Sequence, residues 1–419
     1  MTFSNKNPIV VIGGGIAGIT VALEAAETGA RVVVIEREAF IGGRVLRMHK
    51  YFPKLCSPLC GMEINIRRLK ANPDIRIITL AETDSISGEK GNFEVKISKK
   101  PRFVNEFCTC CDKCVAVCPE ERNDLFNLSL KKTKAIYLPH SHAFPMKYII
   151  ESDSCKGKEC GECVKVCQYD AINLDDKEEV ETIMASSVVY ATGWKPYDAT
   201  KIDNLGFGKI KNVINNVIME RIAASDGPTE GKLVRPSDGK EVKNVVFVQC
   251  AGSRDENHLS YCSSICCLVS LKQATFVREA YPDSKVTIYY IDIRTPGKYE
   301  AFYKKVEADE NVTLVKGKVA KVEEDSETGD VIVTAEDIMS GGKKEQRADM
   351  VVLAAGMHPT AGEEKMNGVL KLDDCGFVDQ ELLADGIFTA GVAKMPVDVN
   401  TTVQDATSVA LSAIQCLIK

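Results

Sequence analysis

Two runs of cysteine constrain this chain more than any other feature: Cys108-x2-Cys111-x2-Cys114-x3-Cys118, followed by Pro119, and Cys155-x4-Cys160-x2-Cys163-x3-Cys167. Thiolates at such short intervals are soft ligands that one stretch of backbone can turn toward a common centre. The chain has 17 Cys in 419 residues, and only Cys375 and Cys416 stand alone. The others fall into the two runs, with Cys110 as a spare thiol, and into Cys56/Cys60 and Cys250/Cys262/Cys266/Cys267. The chain reads as cytoplasmic, where reducing thiol pools disfavour disulfides. Metal ligation is therefore the primary reading.

The first run has the spacing of bacterial dicluster ferredoxins, in which the fourth Cys of each run ligates the other cluster. One [4Fe–4S] cluster is expected on Cys108, Cys111, Cys114 and Cys167, the other on Cys155, Cys160, Cys163 and Cys118. The rival is zinc, which favours two separated CxxC pairs. The x4 gap, KGKE, departs from the pattern and enlarges one loop, while Cys110 stands where ferredoxins often have Gly.

The N-terminal segment reads NPIVVIGGGIAGITVALEAAETGARVVVIERE. A β-branched run, Ile9–Ile12, predicts a buried strand, then Gly13-x-Gly15-x-x-Gly18, a helix to about Thr28 and a second strand, 31–35, ending at Glu36. Gly13 permits the tight turn, Gly15 lets backbone approach a pyrophosphate, and Gly18 allows close helix–strand packing. The helix N-terminus, with Ala17 in its first turn, offers free N–H groups to phosphates. Glu36 can accept hydrogen bonds from ribose hydroxyls, with Arg37 beside it.

Gly43 and Arg44 follow in a layout that resembles the thioredoxin-reductase type of flavoprotein with two dinucleotide-binding domains. SVVYATG, with Ala191 and Gly193, resembles the crossover segment of that group, and GIFTAGVAKMPVDVNTTVQDA, with Gly391 and Thr402, the segment that closes its flavin site. That group usually has Asp where Val392 stands here, so the hydrogen bonds to the flavin must be arranged differently. A helix starting near Thr402 would point its N-terminus at the flavin. A second buried strand, 243–249, is followed not by GxGxxG but by CAGSRDENHLSYCSSICC. The phosphate loop is replaced, and NAD(P)H is not expected as direct hydride donor. Cys250, Cys262, Cys266 and Cys267 leave three readings open: a third iron–sulfur cluster, a redox thiol pair or packing cysteines. For the first, the helix beginning near Ile265 would lower the thiol pKa values of Cys266 and Cys267 at its N-terminus.

The expected fold is α/β, a thioredoxin-reductase-like flavoprotein with an inserted dicluster ferredoxin domain. The expected limits are 1–100, 174–240 and 346–419 for three parts of the FAD-binding domain, the second including the crossover. The ferredoxin insertion takes 101–173, and a degenerate NAD-binding-like domain 241–345. A formal charge of −6 and a pI near 5.6 argue against nucleic-acid binding. The longest apolar stretch, 8–26, is broken by glycines and Glu24, so no membrane span is expected. Cys56 and Cys60 leave open a cluster ligand, a redox thiol or a packed pair. The five His form no metal pattern, and His140-Ser-His142 is expected at the surface.

CxxxC after GGR, KPRFVNEFCTCCDKCVAVCP and VQCAGSRDENHLSYCSSICC together resemble the flavoprotein family formed by the A subunits of heterodisulfide reductase, over nearly the whole chain. The compact length is similar to the short members of that family, the A subunits of quinone-interacting membrane-bound oxidoreductases of sulfate reducers. This resemblance implies an oxidoreductase subunit with FAD and two [4Fe–4S] clusters, peripheral on the inner membrane. It implies sister subunits, namely a haem b membrane protein and a second flavoprotein, and passage of electrons between menaquinone and adenylylsulfate reductase. Alternatives are a stand-alone ferredoxin-dependent reductase and an electron-bifurcating flavoprotein of the heterodisulfide reductase type. Lys272, five residues past Cys267, has a stem long enough to reach toward a flavin, where its charge would favour the reduced anion.

Overall fold

The computed structural model describes residues 6–339, 341–363 and 369–418. The chain divides into two compact units, Met1–Trp194 with Pro359–Met395 and Val399–Lys419, and Lys195–His358 with Pro396–Asp398.

The first unit is built on a parallel sheet with the strand order Ile387–Thr389, Ser187–Tyr190, Ile9–Ile12, Val32–Glu36, Ile75–Thr79. Its central strands, IVVI and VVVIE, are buried at every residue. Such unbroken β-branched runs suit a parallel sheet covered on both faces. On one face lie the helices Ile16–Glu27 and Val399–Gln415. They meet through small side chains, Ala22, Ala25 and Ala26 against Ala406, Ala410 and Ala413, which let two backbones come close. The other face is covered by an antiparallel sheet of Ala81–Glu89, Asn92–Lys99 and Glu179–Ala185. Alternation in Asn92–Lys99 sends Phe93, Val95 and Ile97 inward, each at most 1% exposed. Burial of such a side chain contributes about 1.5–3 kcal/mol.

Lys99 pairs with Glu179 across that sheet, so the insertion runs over 100–178, a few residues wider than the expected 101–173. The cysteines lie inside the expected limits, but the flanks continue as the hairpin's own exit and return. The insertion holds two short helices, Lys113–Val117 and Glu162–Val166, over a small core of Val104, Ile136, Tyr148, Ile150 and Ile172. It seats on the flavin-type core through Phe126, whose ring meets Phe40 edge-on at 5.7 Å. Arg102 donates to Thr79 Oγ1 at 3.0 Å and to the Ala39 carbonyl.

The second unit carries a sheet with the order Val213–Asn215, Met350–Ala355, Asn244–Ala251, Lys285–Tyr290, Val312–Glu324, Val331–Asp337, Gly342–Ala348. The first five strands are parallel, and the last two continue from Val312–Glu324 as antiparallel neighbours. This unit is wider than the expected 241–345. The Val213–Asn215 strand is hydrogen-bonded to Met350–Ala355, and residues 195–358 belong to this unit and not to the flavin-type unit. Among the described residues no helix is long and apolar enough to cross a membrane.

Candidate cofactor sites

The glycines of the first turn have different surroundings. Gly13 has φ +106°, and a Cβ there would lie 2.4 Å from the Ala191 carbonyl oxygen. A Cβ on Gly18 would lie 1.8 Å from the Gly13 carbonyl oxygen. Both are demanded by the fold. Gly15 is different: a Cβ on it would meet nothing within 4 Å. It opens onto free space at the N-terminus of the Ile16–Glu27 helix, where a pyrophosphate would be received by unpaired N–H groups. Gly43, at φ +59°, closes over this turn, its absent Cβ 2.9 Å from Gly15 Cα.

Glu36 ends its strand as expected and is 7% exposed. Its Oε2 accepts from Gly14 N at 2.7 Å and its Oε1 from Glu38 N at 2.8 Å. Each oxygen keeps a lone pair for a ribose hydroxyl. Burial lifts its carboxyl from 4.5 to about 7, against the pull of those two amides. Arg37 is exposed, while Arg44 is largely buried, with its guanidinium 5.4 Å over the Trp194 ring and Nε donating to the Trp194 carbonyl. Burial lowers Arg44 to about 10, which leaves it cationic at neutral pH.

The closing segment converges on the same region. Gly391, at φ +65°, packs against Ala17 and Thr402, and its missing Cβ would lie 2.9 Å from Thr402 Cγ2. The terminal helix begins at Val399, a little before the expected start, and holds Thr402 buried in its first turn. Sequence reasoning missed Asp405. Its Oδ2 accepts from Gly391 N at 2.8 Å and its Oδ1 pairs with Lys394, so a carboxylate reaches this turn from the helix where Val392 stands in the loop. Gly193, at φ +72°, again faces open space. An open cradle at Gly15, a buried acid at Glu36 and a helix N-terminus together fit the ADP half of FAD.

The insertion forms two pockets. Cys108, Cys111, Cys114 and Cys167 line one, with Cys110, Tyr148 and Ile172. Cys118, Cys155, Cys160 and Cys163 line the other. The cause is local: each five-residue helix starts after a left-handed residue, Asp112 or Gly161, and ends at a capping cysteine, Cys118 or Cys167. A rise of about 1.5 Å per residue carries that last thiol some 6 Å along the helix, away from its own run and into the opposite pocket. The enlarged KGKE loop is taken up by a single 3-10 turn, Gly157–Glu159. Cys110 has φ +54°, a conformation that suits Gly. Burial pushes Cys163 up to about 11 and Cys114 up to about 12. These thiols are protonated when free and must release protons to ligate iron. Among the described residues no three Cys, His, Asp or Glu side chains converge as a ready point site for a single ion. The donor set is instead four thiols around a pocket, which fits a cluster with one cysteine per iron.

In the second unit, Cys250, Cys262, Cys266 and Cys267 also line one pocket. The strand runs on to Ala251, two residues past the expected end, and its pairing with Met350–Ala355 slips between Val248 and Ala251. Cys250 sits on that irregularity at φ +57°. Cys266 and Cys267 are the first two residues of the Cys266–Ala280 helix. Their thiol pKa values are raised, not lowered, because burial outweighs the helix terminus. Lys272 also departs from expectation. It is 3% exposed, with Nζ 2.9 Å from Glu220 Oε1, and Gln273 Nε2 donates to the same oxygen at 2.7 Å. Its charge is engaged inside its own unit instead of reaching toward a flavin, and the pairing joins residues 52 positions apart, which no local pattern reveals.

Cys56 and Cys60 are both exposed at the start of the Pro58–Ala71 helix, which removes the packed-pair reading. His140 is buried, not on the surface, and stacks on Phe126 at 4.6 Å; His142 is exposed.

Residues 8–49 match the family described as FAD dependent oxidoreductase. The chain is 40% identical over 410 residues to the iron-sulfur A subunit of CoB–CoM heterodisulfide reductase from Methanocaldococcus jannaschii, covering 95% of this chain and 62% of that protein. It is 37% identical over 423 residues to the A subunit of H2:CoB-CoM heterodisulfide,ferredoxin reductase from Methanothermobacter marburgensis, covering 98% and 64%. The chain thus spans somewhat under two thirds of these relatives. Thioredoxin reductase of T. acidophilum superposes with a TM-score of 0.54 at 15% identity, over 99% of each chain. The fold is that of the thioredoxin-reductase-like FAD oxidoreductases.

Proposed function

We propose that this chain is a FAD- and iron–sulfur-containing electron-transfer subunit of a multi-subunit oxidoreductase. The observation that carries the reading is the partition of the eight run cysteines, four to each of two pockets, with Cys110 beside one of them, in the same unit as a dinucleotide cradle. FAD, when bound, supplies exchange between two-electron and one-electron chemistry. Gly15 and the helix behind it would receive its pyrophosphate, Glu36 its ribose, and the Gly391–Thr402 contact would close the site. The short turn Gly43–Arg47 joins the two functions: Gly43 lies against Gly15, and Arg47 lies 5.5 Å over the ring of Phe126 in the insertion. The Cys250–Cys267 group would hold a third iron–sulfur cluster, at the position where a pyridine-nucleotide phosphate loop would otherwise stand.

Following the sequence resemblance, we place the redox partners at the menaquinone pool, reached through membrane sister subunits, and at adenylylsulfate reductase. A second reading, heterodisulfide-reductase-type electron bifurcation, is favoured by the names of the relatives at 36–40% identity. Anaerobic affinity purification from native membranes separates the two. Adenylylsulfate reductase and a haem b membrane protein in the eluate support the first. A soluble disulfide-reducing partner without haem supports the second. A chain that purifies alone and turns over a small molecule overturns both.

A further inference from the structure

The Cys250–Cys267 pocket has a charged wall. Arg254, Asp292 and Arg294 line it together with the four cysteines. Asp292 bridges the two arginines: its Oδ1 accepts from Arg254 Nη1, and its Oδ2 from Arg294 Nε at 3.1 Å. The same group touches the cysteine motif at both ends. Arg254 lines the pocket with Cys250, and Cys267 Sγ lies 3.7 Å from the Asp292 carbonyl oxygen. Two guanidinium groups against one carboxylate leave one net positive charge facing the thiols. The backbone here is held in a costly form, with Cys250, Arg254 and Ser264 at φ +57°, +58° and +63°. Non-glycine residues persist in that region where the surroundings over-determine them, as at functional sites.

We propose that Arg254, Asp292 and Arg294 act as positioning residues that set the reduction potential of an iron–sulfur cluster on Cys250, Cys262, Cys266 and Cys267. The proposal rests on the third-cluster reading above. A cluster ringed by four thiolates is negatively charged, and one-electron reduction adds a further negative charge. A fixed cation nearby favours the reduced form and raises the potential, while a fixed anion lowers it. Guanidinium does not lose its proton at any working pH, so the bias persists across pH. Arg254, lining the pocket beside the ligand thiols, carries the cationic effect, and Asp292 opposes it while holding both arginines in place. The electron comes from the chain's redox partners, and no proton accompanies it.

The test is an anaerobic, EPR-monitored redox titration of the full-length holoprotein, with the third cluster identified as the signal lost in the Cys262→Ser/Cys266→Ser variant. In Arg254→Gln the third midpoint should fall by at least a tenfold change in the one-electron equilibrium, about 59 mV. Asp292→Asn should shift it the other way, and Arg254→Lys should restore it toward the parent value. The two insertion clusters should not move. An intact third signal with an unmoved midpoint, or shifts of the same sign in Arg254→Gln and Asp292→Asn, overturns the role of these residues and leaves the third cluster standing. If the double cysteine variant keeps the parent's iron content and spectrum, the third cluster falls and the proposal falls with it. Should Arg254→Gln lose iron altogether, a raised midpoint in Asp292→Asn with a near-parent midpoint in Arg254→Lys supports the role, and an unmoved midpoint in Asp292→Asn overturns it.

Discussion

At the scale of single residues, the three glycines of one motif separate into two kinds. Gly15→Val places its side chain in open space, so the apoprotein should unfold at the parent's denaturant midpoint while the purified protein lacks flavin absorbance. Gly18→Ala drives a methyl into the Gly13 carbonyl and should lower the apoprotein midpoint itself. A Gly15→Val protein that keeps its flavin would rule out the cradle. Glu36 makes a pH prediction. Its carboxyl binds protons more tightly when folded, so between about 4.5 and about 7 the folded state holds more protons than the unfolded chain. The contribution of Glu36 to apoprotein stability should therefore be full below 4.5, fall as pH rises to about 7, and then level off, a loss of roughly 3 kcal/mol. Urea titrations of the parent and of Glu36→Gln across this range should diverge by that trend. Parallel curves would show that the buried acid is not the source.

At the scale of elements, the two short helices of the insertion explain why one cysteine run cannot be disabled alone. Cys118 caps the Lys113–Val117 helix but lines the pocket of Cys155, Cys160 and Cys163. Cys118→Ser should therefore perturb the EPR signal of the cluster built mainly by the second run; a lesion confined to the first run's cluster would exclude the crossed arrangement. In the other unit, the Cys266–Ala280 helix carries a buried pair with Glu220. Removing Glu220 alone, as Glu220→Ala, leaves the Lys272 ammonium buried without its carboxylate and should cost about 3–5 kcal/mol in chemical denaturation. Glu220→Leu with Lys272→Met should recover most of it, and equal losses in both would exclude the pair as the cause. These elements also mark how far sequence reading reaches. The likeness of the cysteine spacing to dicluster ferredoxins implies two crossed sets of insertion cysteines, and the two pockets are lined in those sets. Spacing cannot show the left-handed turn at Cys110 or the irregular strand end at Cys250, since both are imposed by pairing and packing. Nor can it find Glu220 beneath Lys272, Asp292 between Arg254 and Arg294, or Asp405 behind Gly391, because these contacts join segments that follow no periodic pattern. His140 departs from expectation because a proline-flanked loop reads as surface, whereas its imidazole fills a gap beside Phe126.

At the scale of the whole molecule, a dinucleotide cradle and two cluster pockets share one unit, while the second unit presents cysteines where the matching phosphate loop would begin. Anaerobic NADH or NADPH added to the isolated chain should leave the flavin spectrum unchanged over minutes; rapid bleaching would mean that a pyridine nucleotide binds by some other route. The hairpin that launches the insertion has a further consequence. Because Lys99 and Glu179 are hydrogen-bonded neighbours, the chain leaves and re-enters the flavin-type unit through one narrow doorway. The segment between them is a detachable cassette in the engineer's sense. A two-residue type I′ turn could bridge its ends without lengthening or shearing either strand. Its loop closure is already met by the host's own sheet, so host and guest have little to lose in chain entropy by being separated. What ties them is a patch of contacts: Phe40 on Phe126, Arg102 on the Ala39 carbonyl, and the Ile41 amide on the Phe144 carbonyl. A lineage that acquired or shed its iron–sulfur wiring would need to rewrite only that patch and one turn.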